Sequence, residues 1–209
     1  METIDIFDQN HNYLGTCDKK RAHEKGLWHQ VFSCLFINSQ KNTVYFQYKN
    51  NTHNELSTLN KVDISVGGHL QAGETIADGV REIKEESSLV VNYNDLINVG
   101  LRIINKKIKE NFIIKEFAYL HIYDNEFELE KLKSIDDEVL YFIEFDINKI
   151  IDFLNGKKEY IYGKTPTGLQ KFTKESFIYE YCKDDKLYLN YLLLAQKIIN
   201  GDKNVKWNI

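Results

Sequence analysis

Glu82, Glu85 and Glu86 fall within one short stretch, Glu74-Thr-Ile-Ala-Asp-Gly-Val-Arg-Glu-Ile-Lys-Glu-Glu86, directly after the glycine-bearing run Gly67-Gly-His-Leu-Gln-Ala-Gly73. The spacing predicts a helix over 74–87. Steps of three and four residues then bring the three carboxylates onto one face and set Ile76, Ala77, Val80 and Ile83 on the other. Glu82 and Glu86 are like charges at i,i+4, and the residues four beyond Glu85 and Glu86 are Leu89 and Val90, so no lysine relieves them there. All three fall in the second half of the predicted helix, where the macrodipole disfavours anions. Close carboxylates are relieved by a hard divalent cation, and a few oxygen ligands suit Mg²⁺ or Mn²⁺ that also meets phosphate oxygens. The competing reading is a solvated acidic face. A strand, a glycine-bearing loop and then a helix favour the cation, because unhindered backbone amides can face a phosphate.

The order Gly68, five residues, Glu74, then Arg81-Glu82-Ile83-Lys84-Glu85-Glu86-Ser87-Ser88-Leu89 resembles the signature of the Nudix hydrolases. In that signature seven residues precede the Arg-Glu pair and a glycine precedes the final aliphatic residue. Here six residues separate Glu74 from Arg81, and Ser88 stands in place of the glycine. The resemblance implies an α/β/α sandwich with a mixed sheet. It further implies a metal held by Glu82, Glu85 and Glu86, an Arg81 that braces a glutamate, and a substrate diphosphate approached by Gly67, Gly68 and His69. One residue removed from a regular helix turns Glu74 by about 100°, which places its alignment with the rest in question. Without the glycine stop the helix is expected to end by another route, with Asn92 or Asn94 in the turn.

The front of the chain adds a second layer. Lys20-Arg-Ala-His23 and Gly26-Leu-Trp-His29 look like the entry segment of the Nudix subgroup that includes the isopentenyl-diphosphate isomerases. That resemblance implies a metal site to which His23, His29, His69 and Glu116 could correspond. The isomerases also carry a catalytic cysteine directly before the Gly-His pair, where this chain has Gly67. Glycine cannot transfer a proton, so hydrolysis is the better reading and the front segment serves shape or recognition. A lone histidine on an apolar strand is more often a hydrogen-bonded core residue, and that alternative covers His23, His29 and His121.

These features lead to Mg²⁺-dependent hydrolysis of a diphosphate linkage in a nucleoside diphosphate joined to another group. The water is activated by a carboxylate base, for which Glu85 and Glu116 are the candidates. Glu116 stands among apolar neighbours in Ile114-Lys-Glu-Phe-Ala-Tyr-Leu120; a solvent-facing strand residue is the alternative. Asp136-Asp-Glu138 is another acidic candidate, although a turn explains it more simply. A module that binds a nucleotide or sugar phosphate without cleaving it is the competing function, kept open by the short Glu74 to Arg81 interval.

The elements that must position these residues alternate strands with a few helices. Ile4 to Phe7 and Tyr13 to Thr16 read as a hairpin, Trp28 to Asn38 and Thr43 to Lys49 as antiparallel partners, and Val62 to Val66 as the strand entering the glycine loop. Asn98 to Asn105, Phe112 to Tyr123 and Val139 to Phe145 are further strands, and Asn148 to Leu154 is a helix. Lys106, Lys107 and Lys109 fit an edge or hairpin tip kept soluble by charge. Trp28, Tyr45, Phe46 and Tyr48 could stack on a base, though strands of a packed sandwich carry the same residues. Residues 1–155 form the expected catalytic domain. Residues 156–209 form a helical extension: a connector around Pro166, then helical periodicity over Gln170 to Tyr181 and Asp184 to Ile199. Its helices complete the core, with a cap or homodimer surface as the alternative.

At 209 residues and 43% hydrophobic the chain has enough apolar side chain for a generous core. Cys17, Cys34 and Cys182 lack metal-ligand spacing and read as free thiols of a reducing compartment, which points to the cytoplasm. A formal net charge of −4 argues against broad attraction to nucleic acid. No segment has the length and apolarity of a membrane span. The expected partner is a small-molecule diphosphate, with neither nucleic acid nor membrane.

Overall fold

The computed structural model describes residues 2–53, 60–135, 137–178, 186–202 and 204–207. Its strands in chain order are β1 (Thr3–Phe7), β2 (Tyr13–Asp18), β3 (Trp28–Asn38), β4 (Thr43–Lys49), β5 (Lys61–Asp63), β6 (Val66–His69), β7 (Ile97–Lys109), β8 (Phe112–Asp124), β9 (Val139–Asp146), β10 (Tyr160–Thr165) and β11 (Gly168–Thr173). The helices are α1 (Lys19–Lys25), α2 (Val80–Ser87), α3 (Ile147–Leu154) and α4 (Leu187–Ile199).

β3 organises the sheet. One of its edges takes β8 in parallel from His29 to Ile37, and the other is shared by β1, β6 and β4 in antiparallel pairings. Alternation along β3 divides the core. Phe32, Cys34 and Phe36 pack with Ile83 of α2 on one face, while Val31, Leu35 and Ile37 join α3 and α4 on the other. An α/β/α sandwich with a mixed sheet results. Among the described residues β7 pairs with β8 alone, so its lysines at 106, 107 and 109 lie on a sheet edge, where charge blunts further pairing. Tyr45 and Phe46 are wholly buried, and Trp28 stacks on Phe117, so these aromatics serve packing.

Two departures from the sequence-based expectations concern the helices. Gly168–Thr173 is a strand, not the start of a helix, and with β10 it extends the sheet beyond β9. The turn between them carries Pro166, whose ring fixes φ and removes an amide that a ladder would need. The remainder of the expected Gln170 to Tyr181 helix falls partly outside the described residues. α4 is present, and Leu187, Tyr191, Leu192 and Ala195 bury its inner face.

The expected helix over 74–87 becomes regular only at Val80. Before it, Ile76–Gly79 forms a 3₁₀ turn, opened by the Thr75 amide and hydroxyl, which both bond Asp78 Oδ2 at 2.7 and 2.6 Å. Gly79 is why the helix can sit so close to the sheet: a Cβ there would meet the Phe32 side chain at 2.5 to 2.8 Å. Gly79→Ala is expected to cost about 1–3 kcal/mol through overpacking, read as a lower urea midpoint with an unchanged slope. The stop is also a departure. Ser88 itself adopts the left-handed conformation at φ 62°, its amide bonding Lys84 O, so the turn does not need Asn92 or Asn94.

Candidate functional site

Two clusters of ionisable side chains meet at β6. On the α2 side, Arg81 is the hub. Its Nε and Nη2 bond the two Glu74 oxygens at 2.8 and 3.1 Å, Nη2 bonds Glu82 at 2.9 Å, and Nη1 bonds Glu85 at 2.7 Å. A guanidinium fork matches carboxylates in this way. Nη2 also reaches the His69 carbonyl at 3.2 Å, tying α2 to β6. Glu74 precedes the 3₁₀ turn, so the short interval does not rotate it around a regular helix. It comes back to Arg81, and Gln71 donates its amide to it at 2.7 Å.

Glu82 and Glu86 turn toward the sheet, while Glu85 is 40% exposed. Gly68 permits this approach, since a Cβ there would lie 2.2 Å from Glu82 Cδ. Gly67 donates its amide to Glu86 at 3.0 Å. Gly67, Gly68 and His69 thus belong to strand β6 and not to the loop expected from their composition, which begins at Leu70. Burial pushes the Glu82 carboxyl up to about 7, against the pull of Arg81, and burial also pushes Glu86 well up, against Lys49. Folding without a counter-cation therefore leaves carboxylates that resist ionisation.

The sign of the resulting pH dependence follows. The folded Glu82 carboxyl holds its proton to about pH 7, whereas the unfolded one releases it near 4.5. The metal-free protein is expected to lose stability as pH rises through that window. Divalent metal, which needs the ionised form, should bind progressively better across it. Urea titrations at pH 5 and 7.5, with and without Mn²⁺, check both expectations, with a shallower pH dependence expected in Glu82→Gln.

On the other face of β6 lie His23 from α1, His29 from β3, His69 from β6 and Glu116 from β8. One ligand atom from each falls within 4.8 Å of the others. The strands impose this: His29 and Glu116 are direct partners in the parallel β3–β8 register, and β6 pairs beside them. Gly26 ends α1 in the left-handed conformation at φ 61° and turns the chain into β3, so His23 folds back over His29. His29 Nδ1 donates to Leu27 O at 2.8 Å, which fixes the tautomer and leaves an acceptor lone pair on Nε2. That Nε2 is buried without a hydrogen-bond partner, 3.7 Å from Glu116 Oε1. His23 Nδ1 likewise faces Ile113 O, with its Nε2 3.1 Å from His69 Nε2. Burial first, then the neighbouring histidines and lysines, push His69 well below the ordinary histidine value. Neutral imidazoles with inward lone pairs and a carboxylate fit a divalent metal. His23 and His29 are buried with one ring nitrogen on a backbone carbonyl and stand in this cluster as well, whereas His121 stands apart from it: its ring bonds Ser33 O and the Tyr93 hydroxyl.

Beside the histidine cluster, on its face of the sheet, opens a cavity of about 130 Å³ lined by Gly67, Gly68, His69, Glu116, Arg102 and Asp63 among others; none of the α2 glutamates lines it. Glu116 is buried and faces this cavity, not solvent. The Ser33 hydroxyl, also on its wall, is buried without a partner. Sequence reasoning missed Lys49, Asp63 and Arg102. A charged residue within or ending an apolar strand is too common to stand out, and their convergence is tertiary. Of the other acidic candidates, Glu138 lies 2.6 Å from Lys49, and Asp136 lies outside the described residues. Cys17 and Cys34 are free thiols that do not line the cavity; Cys182 lies outside the described residues.

No family model matches the chain. It is 33% identical over 168 residues to an uncharacterized Nudix hydrolase of Clostridium acetobutylicum, covering 78% of this chain and 79% of that one. It is 35% identical over 94 residues to an isopentenyl-diphosphate Delta-isomerase of Photorhabdus laumondii, covering 44% of this chain and 52% of the relative. In fold it is similar to a crystal structure from Deinococcus radiodurans, with a TM-score of 0.50 and 16% identity over 75% of this chain and 90% of that one.

Proposed function

Since the chain belongs to the Nudix hydrolase family, we propose that it is a Mg²⁺-dependent pyrophosphohydrolase that cleaves the diphosphate of a nucleoside diphosphate joined to another group. The observation that carries this reading is the convergence of Glu82 and Glu86 on the glycine pair of β6, with Arg81 fastened to Glu74, Glu82 and Glu85. Buried carboxylates without enough counter-charge fit a hard divalent ion, Mg²⁺ or Mn²⁺. Glu82 and Glu86 would hold it, with Glu85 completing the set from the solvent side. When bound, such an ion supplies charge neutralisation at a diphosphate and a more acidic water.

The chain's own residues do the remainder. Arg81 keeps three carboxylates in register, and Gly67 and Gly68 let Glu86 and Glu82 come against β6, where the ion they hold would meet phosphate oxygens. His69 lines the same wall, and Glu85 or Glu116 accepts the proton of the attacking water. Glu116 is buried at the cavity, whereas Glu85 stands 40% exposed on the α2 side of the sheet. The histidine cluster would take a second divalent ion, softer in preference because imidazole suits transition metals. Residues 1–155 carry these groups, and α4 packs behind β3 and β8. Free thiols at Cys17 and Cys34 support a cytoplasmic setting, and among the described residues no helix is long and apolar enough to cross a membrane.

The histidine cluster also favours an isomerase-like second reading, which the relative from Photorhabdus laumondii shares in part. Against it stands Gly67, with no thiol on the cavity wall among the described residues. The non-cleaving sensor loses its main support, because Arg81 reaches Glu74 despite the short interval. The test is incubation with Mg²⁺, ¹⁸O-labelled water and a panel of nucleoside diphosphate derivatives plus isopentenyl diphosphate. Nucleoside monophosphate carrying or facing the label is the expected product. Double-bond migration in isopentenyl diphosphate, or tight binding of unchanged ligand, would overturn hydrolysis.

A further inference from the structure

Two cations serve the glutamates of α2, and they hold them in different ways. Arg81 is bonded directly to Glu82, Glu85 and Glu74 at 2.7 to 3.1 Å, a forked arrangement that keeps its geometry. Lys49, at the end of β4, lies 2.6 Å from Glu138 but 3.9 Å from Glu86, with its side chain only 13% exposed. Asp63 on β5 adds a third carboxylate to its surroundings. Among the described residues Glu86 therefore has one firm bond, from the Gly67 amide to Oε2, and its other oxygen is approached loosely by the ammonium. An ammonium is a compact point charge on a flexible stem, without the planar fork that locks an arginine.

We infer that Lys49 is a positioning residue that acts as the resident counter-ion of Glu86, keeping its carboxylate turned to β6 in the metal-free protein and yielding it to a divalent cation while remaining bound to Glu138. The inference rests on the proposed metal role of Glu86. Its consequence is a pair of opposite effects. Lys49 repels an incoming cation and competes for Glu86, so its removal leaves a more negative site. Glu138 draws Lys49 away from Glu86, so its neutralisation returns the ammonium to Glu86 and strengthens the competition. A side chain needed only for packing would weaken metal binding in both cases.

The experiment measures Mn²⁺ binding to the full-length protein by the loss of the free-ion paramagnetic resonance signal, taking the part lost in Glu86→Gln as the signal of this site. Lys49→Met is expected to tighten that part by about tenfold and to lower the melting temperature in chelator, with the deficit largely recovered at saturating Mn²⁺. Lys49→Arg should stay near the parent. Glu138→Gln should weaken Mn²⁺ binding several-fold, and it decides by its sign alone if Lys49→Met does not fold. Unchanged or weaker binding in Lys49→Met, or unchanged or tighter binding in Glu138→Gln, overturns the counter-ion role while leaving the metal site standing. Mn²⁺ binding by the parent that does not depend on Glu86 overturns both.

Discussion

Glu86→Gln is expected to lower kcat for diphosphate hydrolysis by about 10³-fold or more, corresponding to about 4 kcal/mol of lost transition-state stabilisation, with no loss of stability. The amide is isosteric, and its carbonyl can still accept the Gly67 N–H that reaches Glu86 at 3.0 Å. What disappears is a buried negative charge. In the metal-free protein that charge is a burden, since burial pushes the Glu86 carboxyl well up. Because Lys49 keeps Glu138 at 2.6 Å, removing it should leave the urea midpoint in chelator equal to or above that of the parent. The pairing of the two readouts is the test. A structural role for Glu86 would lower stability and activity together, whereas a ligand role separates them. Comparable activity in the variant and parent would remove the glutamate cluster from the mechanism.

Gly68→Ala should produce the second-largest effect, by steric means alone. A methyl group at this position would lie 2.2 Å from Glu82 Cδ and within 2.5 Å of both carboxylate oxygens. The obstructing atoms are the end of a side chain, so the fold can respond by swinging Glu82 away from β6. Stability is then expected to fall by only about 1–2 kcal/mol, while Mn²⁺ affinity and kcat fall by about 10²-fold each as a buried ligand leaves its place. Gly67→Ala is the control. Its added methyl meets nothing closer than Ile64 Cδ1 at 3.6 Å, ordinary contact, so its metal affinity should stay within a few-fold of the parent. Equal losses in the two variants would mean that the strand's flexibility matters and the approach of Glu82 does not.

Much of the site could be read from local spacing. The run Arg81-Glu82-Ile83-Lys84-Glu85-Glu86 carries both its apolar stripe and its carboxylates within two helical turns, and the glycine pair lies within twenty residues of it. Strands β3, β4, β8 and β9 were legible for the same reason, because alternation and β-branched runs are properties of neighbouring residues. Where one-dimensional periodicity misled, the cause was three-dimensional. Gln170 to Tyr181 has helical spacing, yet Gly168–Thr173 pairs with β10, and backbone partners decide between the two conformations. Ser88 shows the same limit at one residue. Its propensity disfavours a left-handed stop, but its hydroxyl bonds Lys133 O at 2.7 Å and the loop around residue 133 holds it there.

The family, the acidic helix and the histidines of the front segment are written in residue types at short separations, which a linear reading can recover. It took the folded chain to bring His23, His29, His69 and Glu116 together, to carry Glu82 over Gly68 and to set Lys49 beside Glu86. These meetings join residues tens of positions apart, and they are set by the parallel register of β3 against β8 and by the packing of α2 on β6. A chain encodes such contacts collectively, through the burial of its whole core, so no single stretch of it announces them.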